Sequence, residues 1–241
     1  MDLLLGTFVL RPYVFGFLAC FLVVGTLDIG WRRTLVFGAW VWPLAWASEF
    51  ASTRVGIPFG LYHYTETTRG QELYLANVPL MDSLSFTFLA YAAFSLVRCA
   101  LGKQGLWTVA VAGGFLMMLL DVVIDPIAVR GDRWFLGRIF YYHEEGIYFG
   151  VPVSNFAGWA LVGTVGIGGY LRLVRDGWGT RPWPGMALYY AVLVFNLAVT
   201  AWIHEWILLG LGVVVHVTAA AVLYGVHRRP ALRPGMESQK A

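Results

Sequence analysis

The chain has 241 residues, of which 59% are apolar and only 13% are charged. This composition, with a mean hydropathy of +0.66, exceeds what a soluble domain of this size needs and indicates an integral membrane protein. The net charge of +3 is small and the basic residues are scattered, so nucleic acid is not an expected partner. Cys20 and Cys99 both fall in apolar runs and do not indicate a disulfide framework.

Seven apolar segments are predicted to cross the membrane as helices, because each approaches the ~20 residues that span the hydrocarbon core. The first segment is expected to be retained, since the first charge is Asp2 and no signal-peptidase-like site follows. The last two are separated only by His204-Glu205-Trp206, and one broken element there would reduce the count to six. We therefore expect an all-α, polytopic membrane helix bundle forming a single integral membrane domain, residues 1–241. The predicted spans are Phe8–Leu27, Leu35–Phe50 (short, with Pro43), Leu80–Val97, Leu106–Ile124, Val153–Val174, Met186–Ile203 and Ile207–Val226.

The distribution of Lys and Arg predicts the orientation of the bundle. Of the 17 basic residues, eleven fall on one side of the seven spans, which is therefore assigned to the cytoplasm. This places the N-terminus outside the cell membrane and the C-terminus inside. The cytoplasmic set is Arg32, Arg33, Arg98, Lys103, Arg172, Arg175, Arg181, Arg228, Arg229, Arg233 and Lys240. The outer set is Arg11, Arg54, Arg69, Arg130, Arg133 and Arg138.

Carboxylates gather at the outer ends of the predicted helices. Asp121 and Asp125 end the fourth span four residues apart, so they share one helix face, and Pro126 is expected to stop that helix. Glu49 ends the second span and Asp82 begins the third, which brings all four acids to the outer membrane face. A carboxylate at membrane depth is costly and is a functional candidate. The alternative is that Asp121 and Asp125 pair with arginines of the next loop. The same outer face receives Asn155, His204 and Glu205.

The two long outer loops are rich in aromatic residues and resemble each other. Each follows a helix that ends in carboxylates, and each re-enters the membrane through Val-Pro with a polar residue, Asp82 or Asn155, three places on. This pattern predicts a duplicated helix–loop–helix unit, whereas ordinary helix capping would explain the proline alone. Aromatic residues are common at membrane interfaces, but they would also line a site for a long apolar ligand or a transient cation.

The sequence favours acid–base chemistry over metal catalysis. None of the five histidines stands at close helical ligand spacing to another, and His143-Glu144-Glu145 lacks the second histidine of the zinc signature. Asp121 and Asp125 alone are too few acids for a magnesium–diphosphate site. A desolvated carboxyl group can act as a general acid while a second, wetter carboxylate orients water. Two acids in unlike environments are what the addition of water to an isolated alkene requires.

The segment from Trp46 to about Gly163 carries several long motifs in order. They are Trp46–Phe50, Gly56–Tyr64, Ala76–Pro79, Asp82–Phe86, Asp121–Pro126, Arg130–Trp134 and Tyr148–Phe156. This set of motifs resembles the membrane-integral carotenoid biosynthesis family that is typified by the CruF-type carotenoid 1,2-hydratases. The resemblance implies hydration, without a cofactor, of the acyclic ψ end of a carotenoid across its terminal C1–C2 double bond. The implied substrates are compounds such as lycopene, γ-carotene or bisanhydrobacterioruberin.

The resemblance brings no catalytic assignment, so the roles are hypotheses drawn from the residues. Asp121 or Asp125 protonates C2, and Glu49 or Asp82 holds the water that adds at C1. Arg130 and Arg138 supply supporting charge. A cyclase or isomerase of the same substrates would begin with the same protonation, and a non-catalytic lipid-binding or transport protein is a further alternative. The residues predicted to bind the substrate and shield the tertiary cation are Phe59, Tyr62, Tyr64, Trp134, Phe140, Tyr141, Phe149 and Asn155.

Overall fold

A computed structural model describes residues 2–102 and 104–228, and these form a bundle of eight α-helices with four short strands. The helices are α1 Leu3–Leu10, α2 Pro12–Asp28, α3 Trp31–Val55, α4 Leu80–Leu101, α5 Leu106–Ala128, α6 Val153–Leu173, α7 Trp183–Trp202 and α8 Trp206–His227. The strands are β1 Tyr62–Tyr64, β2 Tyr74–Leu75, β3 Val78–Pro79 and β4 Phe140–Tyr142. Four basic residues counted toward the cytoplasmic side lie outside the described residues: Lys103, Arg229, Arg233 and Lys240.

Length and apolar composition qualify four of the described helices, α4, α5, α7 and α8, to cross a membrane. The pair α1 and α2 would add a fifth crossing if the two form one span. The predicted second and fifth spans coincide with α3 and α6, which are helical but do not meet that criterion. The sixth and seventh predicted spans are two separate helices, because the chain turns at His204, whose φ is +60°.

The first predicted span begins too early. The chain bends by 90° between α1 and α2, where the prediction has one helix from Phe8 to Leu27. Pro12 disfavours helical geometry at the residue before it, and Arg11 has φ −126° and ψ 45°. The bend buries the Arg11 guanidinium against Glu72, with nitrogen–oxygen distances of 2.8 and 3.1 Å.

Two prolines have less effect on the helices than the sequence suggests. The short second span is part of the 25-residue helix α3, which continues through Pro43. Helix α5 passes Pro126 and ends at Ala128, so the prediction that Pro126 stops the helix is wrong by two residues. The cost is small there, because a proline in the last turn removes only one helical hydrogen bond. Side chains also bind the carbonyls at the end of the helix. Arg130 donates to the Pro126 carbonyl at 2.9 Å, and Trp134 donates to the Ile127 carbonyl at 2.9 Å.

Helix α4 is the centre of the bundle, and its residues from Phe86 to Arg98 are buried on all sides. Helices α5 and α6 pack closely against each other because small residues face each other across their contact. A Cβ on Gly163 would lie 2.8 Å from the Cα of Gly114, which leaves room only for hydrogen at both positions. Small residues allow such close approach between membrane helices.

A buried ion pair holds the end of the bundle that is predicted to face the cytoplasm. Arg98 of α4 is paired with Asp28 at the end of α2. Asp28 also accepts hydrogen bonds from the Tyr91 hydroxyl at 2.8 Å and from the Arg181 backbone N–H at 2.7 Å. A buried carboxylate with this many partners is satisfied, and it anchors the α6–α7 loop to α2 and α4.

The two long loops meet in a two-stranded antiparallel sheet at the opposite end. Strand β1 of the first loop pairs with β4 of the second, with His63 opposite Tyr141 at the centre. Each loop then makes a tight hairpin before Val-Pro, through positive φ at Ala76 (+57°) and at Phe149 (+51°). The matched strands, hairpins and re-entry support a repeated helix–loop–helix unit, α3–α4 and α5–α6.

Candidate active site

A cavity of about 130 Å³ lies beneath the β1–β4 sheet. Glu49 near the end of α3, Asp82 and Asn155 in the first turns of α4 and α6, and Asp125 near the end of α5 all line it. The predicted meeting of these side chains at one end of the bundle is therefore found. Asp121 lies behind them: it is 0% exposed and is not part of the lining.

Asn155 ties the two aspartates of α5 together. Its side-chain Nδ2 donates to Asp121 Oδ2 at 2.6 Å and to Asp125 Oδ2 at 2.7 Å. Asp125 also accepts a hydrogen bond from the Tyr142 hydroxyl at 3.3 Å. Asp121 Oδ1 has no hydrogen-bond partner within the described residues. The i,i+4 spacing predicts the shared face correctly, but the two acids differ in access to the cavity.

Glu49 lines the same cavity, next to a pair of tyrosines. It is 5% exposed, and its Oε2 atom has no hydrogen-bond partner in the part of the chain that is described. Burial, followed by the negative charge of Glu49, raises the pKa of Tyr62 and of Tyr64 well above the ordinary value. These phenols therefore stay protonated and remain available as hydrogen-bond donors.

Strand geometry decides which aromatic residues reach the cavity. Side chains alternate between the two faces of a strand, so Tyr62 and Tyr64 of β1 point inward with Phe140 and Tyr142 of β4. Burial, followed by the charges of Asp125 and Asp121, raises the pKa of Tyr142 well above its ordinary value. The alternation places Tyr141 on the outer face, where it is 41% exposed.

The predicted binding residues thus divide into two groups. Phe59, Tyr62, Tyr64, Phe140 and Asn155 line the cavity, whereas Trp134, Tyr141 and Phe149 do not belong to the described lining. Trp134 instead meets Phe135 edge to face, with ring centroids 4.8 Å apart, and lies tilted against Tyr13 at 6.2 Å.

The predicted supporting arginines also lie elsewhere. Arg130 pairs with Glu205 at 3.0 Å and donates to the Phe149 carbonyl at 2.6 Å. Arg133 binds the same Glu205, and these contacts fasten the second loop to the α7–α8 turn. Arg138 is exposed, 6.0 Å from the Tyr141 ring. The alternative that arginines neutralise the α5 aspartates therefore finds no support among the described ion pairs, which place both Arg130 and Arg133 on Glu205.

Several lining residues escape the sequence analysis. Tyr13 and Phe17 come from α2, and Phe195 and Asn196 come from α7. Aromatic residues in apolar helices carry no distinguishing pattern, and only Asn196 stands out as a polar residue within a span. Its Nδ2 donates to the Val192 carbonyl at 2.8 Å.

The cavity offers carboxyl groups, phenols and the two carboxamides of Asn155 and Asn196, with aromatic rings around them. Within residues 2–102 and 104–228, no group of three or more His, Cys, Asp or Glu side chains is arranged to hold a metal ion. The donors present can give and accept protons and can hold a water molecule.

Comparison with known proteins agrees with the resemblance seen in the motifs. Residues 2–225 match the family model described as carotenoid biosynthesis protein. The chain is 31% identical over 169 residues to the bisanhydrobacterioruberin hydratase of Haloarcula japonica, which covers 68% of this chain and 51% of the relative. The chain thus spans about half the length of that relative. No solved structure matches it. The match over nearly the whole chain shows that this protein belongs to the carotenoid biosynthesis protein family.

Proposed function

We propose that the protein is a carotenoid hydratase that adds water across the terminal C1–C2 double bond of an acyclic ψ end group. The observation that carries the proposal is the cavity, which brings Asp125 of α5 together with Glu49 of α3 and Asp82 of α4. The hydratase among the relatives supports this reaction class. A carotenoid such as lycopene, γ-carotene or bisanhydrobacterioruberin would supply the end group.

The proposed setting is a bundle that crosses the cell membrane seven times, through α2 to α8. The cavity then lies at the outer face, with the N-terminus outside and the C-terminus in the cytoplasm. The surplus of basic residues on the opposite side supports this orientation. Water can reach such a site from the loops, while the apolar substrate approaches through lipid.

Asp125 is the proposed general acid. It lines the cavity, whereas Asp121 is sealed behind it. Two carboxylates bound to one amide and lacking a cation would repel each other in an apolar interior, so the pair is expected to hold a proton. Asp125 gives that proton to C2, which leaves a tertiary cation at C1. Asn155 and Asp121 act as positioning residues that fix the orientation of the Asp125 carboxyl group and stabilise its charge.

Glu49 and Asp82 are proposed to hold the attacking water. Glu49 Oε2 lacks a partner in the described chain, and a buried carboxylate oxygen without a partner beside a cavity favours an ordered water. The oxygen of that water bonds to C1, and its proton passes to Glu49 or Asp82. The proton returns to Asp125 before the next turnover, so the net reaction adds one H and one OH.

The aromatic lining is proposed to stabilise the cation until water adds. Tyr62, Phe140 and Tyr142 of the β1–β4 sheet lie edge to face with one another, with ring centroids 5.6–5.8 Å apart. Aromatic faces attract a cation within about 6 Å, an effect that grows to about 2 kcal/mol where water is excluded.

The test is to express the variants Asp125→Asn, Glu49→Gln and Asp82→Asn singly in a lycopene-producing host. We expect each variant to reduce the 1-hydroxy product strongly at a normal protein level, because the amide cannot exchange the required proton. Asp132→Asn is the matched control, since Asp132 is exposed in the second loop. Full activity in all three cavity variants would refute the proposal.

Water labelled with heavy oxygen separates hydration from the related chemistry. A hydratase places the label in the product alcohol. A cyclase or isomerase would use the same proton but resolve the cation by ring closure or proton loss, and its product would carry no label.

A further inference from the structure

The cavity is far smaller than the substrate that the proposed function requires. Its volume of about 130 Å³ is close to the ~150 Å³ of an engineered cavity that binds benzene. A pocket that encloses a whole drug-sized ligand measures roughly 300–1,000 Å³. The cavity therefore has room for one branched end unit of an isoprenoid, and the rest of a carotenoid must leave it between two helices.

The cavity is polar on one side and apolar on the other. Glu49, Asp82, Asp125 and Asn155 come from α3 to α6, whereas α2 and α7 contribute mainly aromatic and aliphatic side chains. An end group whose double bond meets Asp125 therefore has its polyene directed toward α2 and α7.

Tight packing closes two other routes out of the cavity. Toward α6, Phe86 stacks on Trp159 with ring centroids 4.2 Å apart, and a Cβ on Gly158 would lie 2.6 Å from Phe59. Between α5 and α7 the groove is filled by α8, where a Cβ on Gly212 would lie 2.9 Å from Val123 and 3.1 Å from Leu197.

Aromatic rings form the contact between α2 and α7 beside the cavity. Phe195 stacks on Tyr13 with a centroid distance of 5.2 Å and meets Phe17 edge to face at 5.6 Å. All three line the cavity, yet each is only half-buried. The next residue on α7, Val194, is 62% exposed on the outside of the bundle. Phe17 and Phe195 thus lie between the cavity and the surface, while Tyr13 is also in contact with Trp134 and Phe135, with ring centroids 6.2 and 5.7 Å apart.

We propose that Tyr13, Phe17 and Phe195 form a lateral portal through which the polyene of the substrate extends from the cavity into the lipid. The proposal rests on the proposed function for the identity of the ligand. Rotation of flat side chains opens such a contact without moving the helices, and the rings then lie along the conjugated chain. The portal would select acyclic, linear ends, since a ring beside the reacting unit would not pass between α2 and α7.

The first experiment locates the polyene directly and does not depend on turnover. A photoreactive benzophenone amino acid replaces Phe17 in the Asp125→Asn variant, and the membranes are illuminated in the presence of lycopene. We expect covalent capture of lycopene at position 17. The same probe at Leu161, which is 55% exposed on α6, is the control and should capture at least tenfold less.

The second experiment narrows the portal. Phe195→Trp should reduce kcat/KM for lycopene at least tenfold, whereas Val194→Trp, one residue away on the outer surface, should leave it unchanged. Capture at position 161 rather than 17, capture at neither position, or equal activity of both tryptophan variants would overturn the portal. Capture at position 17 with unlabelled product in heavy-oxygen water would retain the portal and reject the hydratase.

Discussion

Asn155 is the side chain on which the proposed acid pair depends, and its replacement tests the site most directly. Asn155→Leu keeps the approximate volume but removes the donors to Asp121 at 2.6 Å and Asp125 at 2.7 Å. A hydrogen bond to a charged group contributes about 1.5–3 kcal/mol and one to a neutral group about 0.5–1.5 kcal/mol. For one charged and one neutral carboxyl group, the free energy of unfolding should fall by about 2–4.5 kcal/mol. We also expect hydration to be lost.

The assay is reversible unfolding in detergent micelles, followed by tryptophan fluorescence. The double variant Asp121→Leu/Asn155→Leu replaces both ends of one buried bond by apolar groups, a change that is close to neutral for that bond. The double variant should therefore lose at least about 1 kcal/mol less than the sum of the two single variants. Strictly additive losses, or an unchanged unfolding midpoint in Asn155→Leu, would show that the amide does not hold the acids in place.

Three further changes test the β1–β4 sheet over the cavity, the α5–α6 packing and the buried Asp28–Arg98 ion pair. Tyr142→Phe removes one long hydrogen bond to the Asp125 carboxylate. We expect the activation free energy to rise by about 1.4 kcal/mol, which lowers kcat/KM for lycopene tenfold. An unchanged kcat/KM would dismiss a role for the hydroxyl. Gly114→Ala forces a Cβ into the α5–α6 contact and should destabilise the fold by about 1–3 kcal/mol, while Gly210→Ala, where a Cβ meets nothing within 4 Å, should not lower the unfolding midpoint. Asp28→Ala leaves the Arg98 charge buried without its partner and should cost about 3–5 kcal/mol, measured by thermal unfolding, with hydration per folded molecule preserved.

The sequence predicts the helices and the meeting of the acids because both depend on strong local physics. Long apolar runs form helices, and carboxylates gather at helix ends that the topology brings together. The i,i+4 spacing of Asp121 and Asp125 also predicts their common face. It does not predict that only Asp125 reaches the cavity, because that depends on how Asn155 of another helix packs against both.

The loops show where residue type is a poor guide and periodicity a better one. Aromatic content alone favours Tyr141, Trp134 and Phe149 as much as Tyr62 or Phe140. The two-residue alternation of a strand separates Tyr141 from its neighbours, and that signal is present in the sequence once β4 is recognised. Trp134 and Phe149 are instead placed by the fold around Glu205, through contacts distant in the chain that no local pattern indicates.

The apolar lining of the cavity is the part of the site that is hardest to predict from the sequence. An aromatic residue within an apolar helix looks the same whether it faces lipid, the core or a substrate. Tyr13, Phe17 and Phe195 differ from other aromatic residues only in that α2 and α7 happen to meet beside the acids. For Tyr13 and Phe17 this meeting follows the 90° bend between α1 and α2 at Arg11–Pro12, where Arg11 binds Glu72 of the distant first loop.

The difference between the two halves of the repeat gives a physical reason why one fold can hold both an acid and a base. Asp82 and Asn155 occupy the same place, the third residue of the helix that follows Val-Pro. In the second half the amide donates two hydrogen bonds to carboxyl groups of α5, which in the proposed mechanism hold one proton between them. In the first half the corresponding residue, Asp82, is itself an acid and has no amide hydrogen to donate to Glu49. The Oε2 atom of Glu49 has no hydrogen-bond partner among the described residues, and in the proposed mechanism it binds water. A symmetric pair of halves would supply two identical environments, and acid-catalysed hydration requires two that differ.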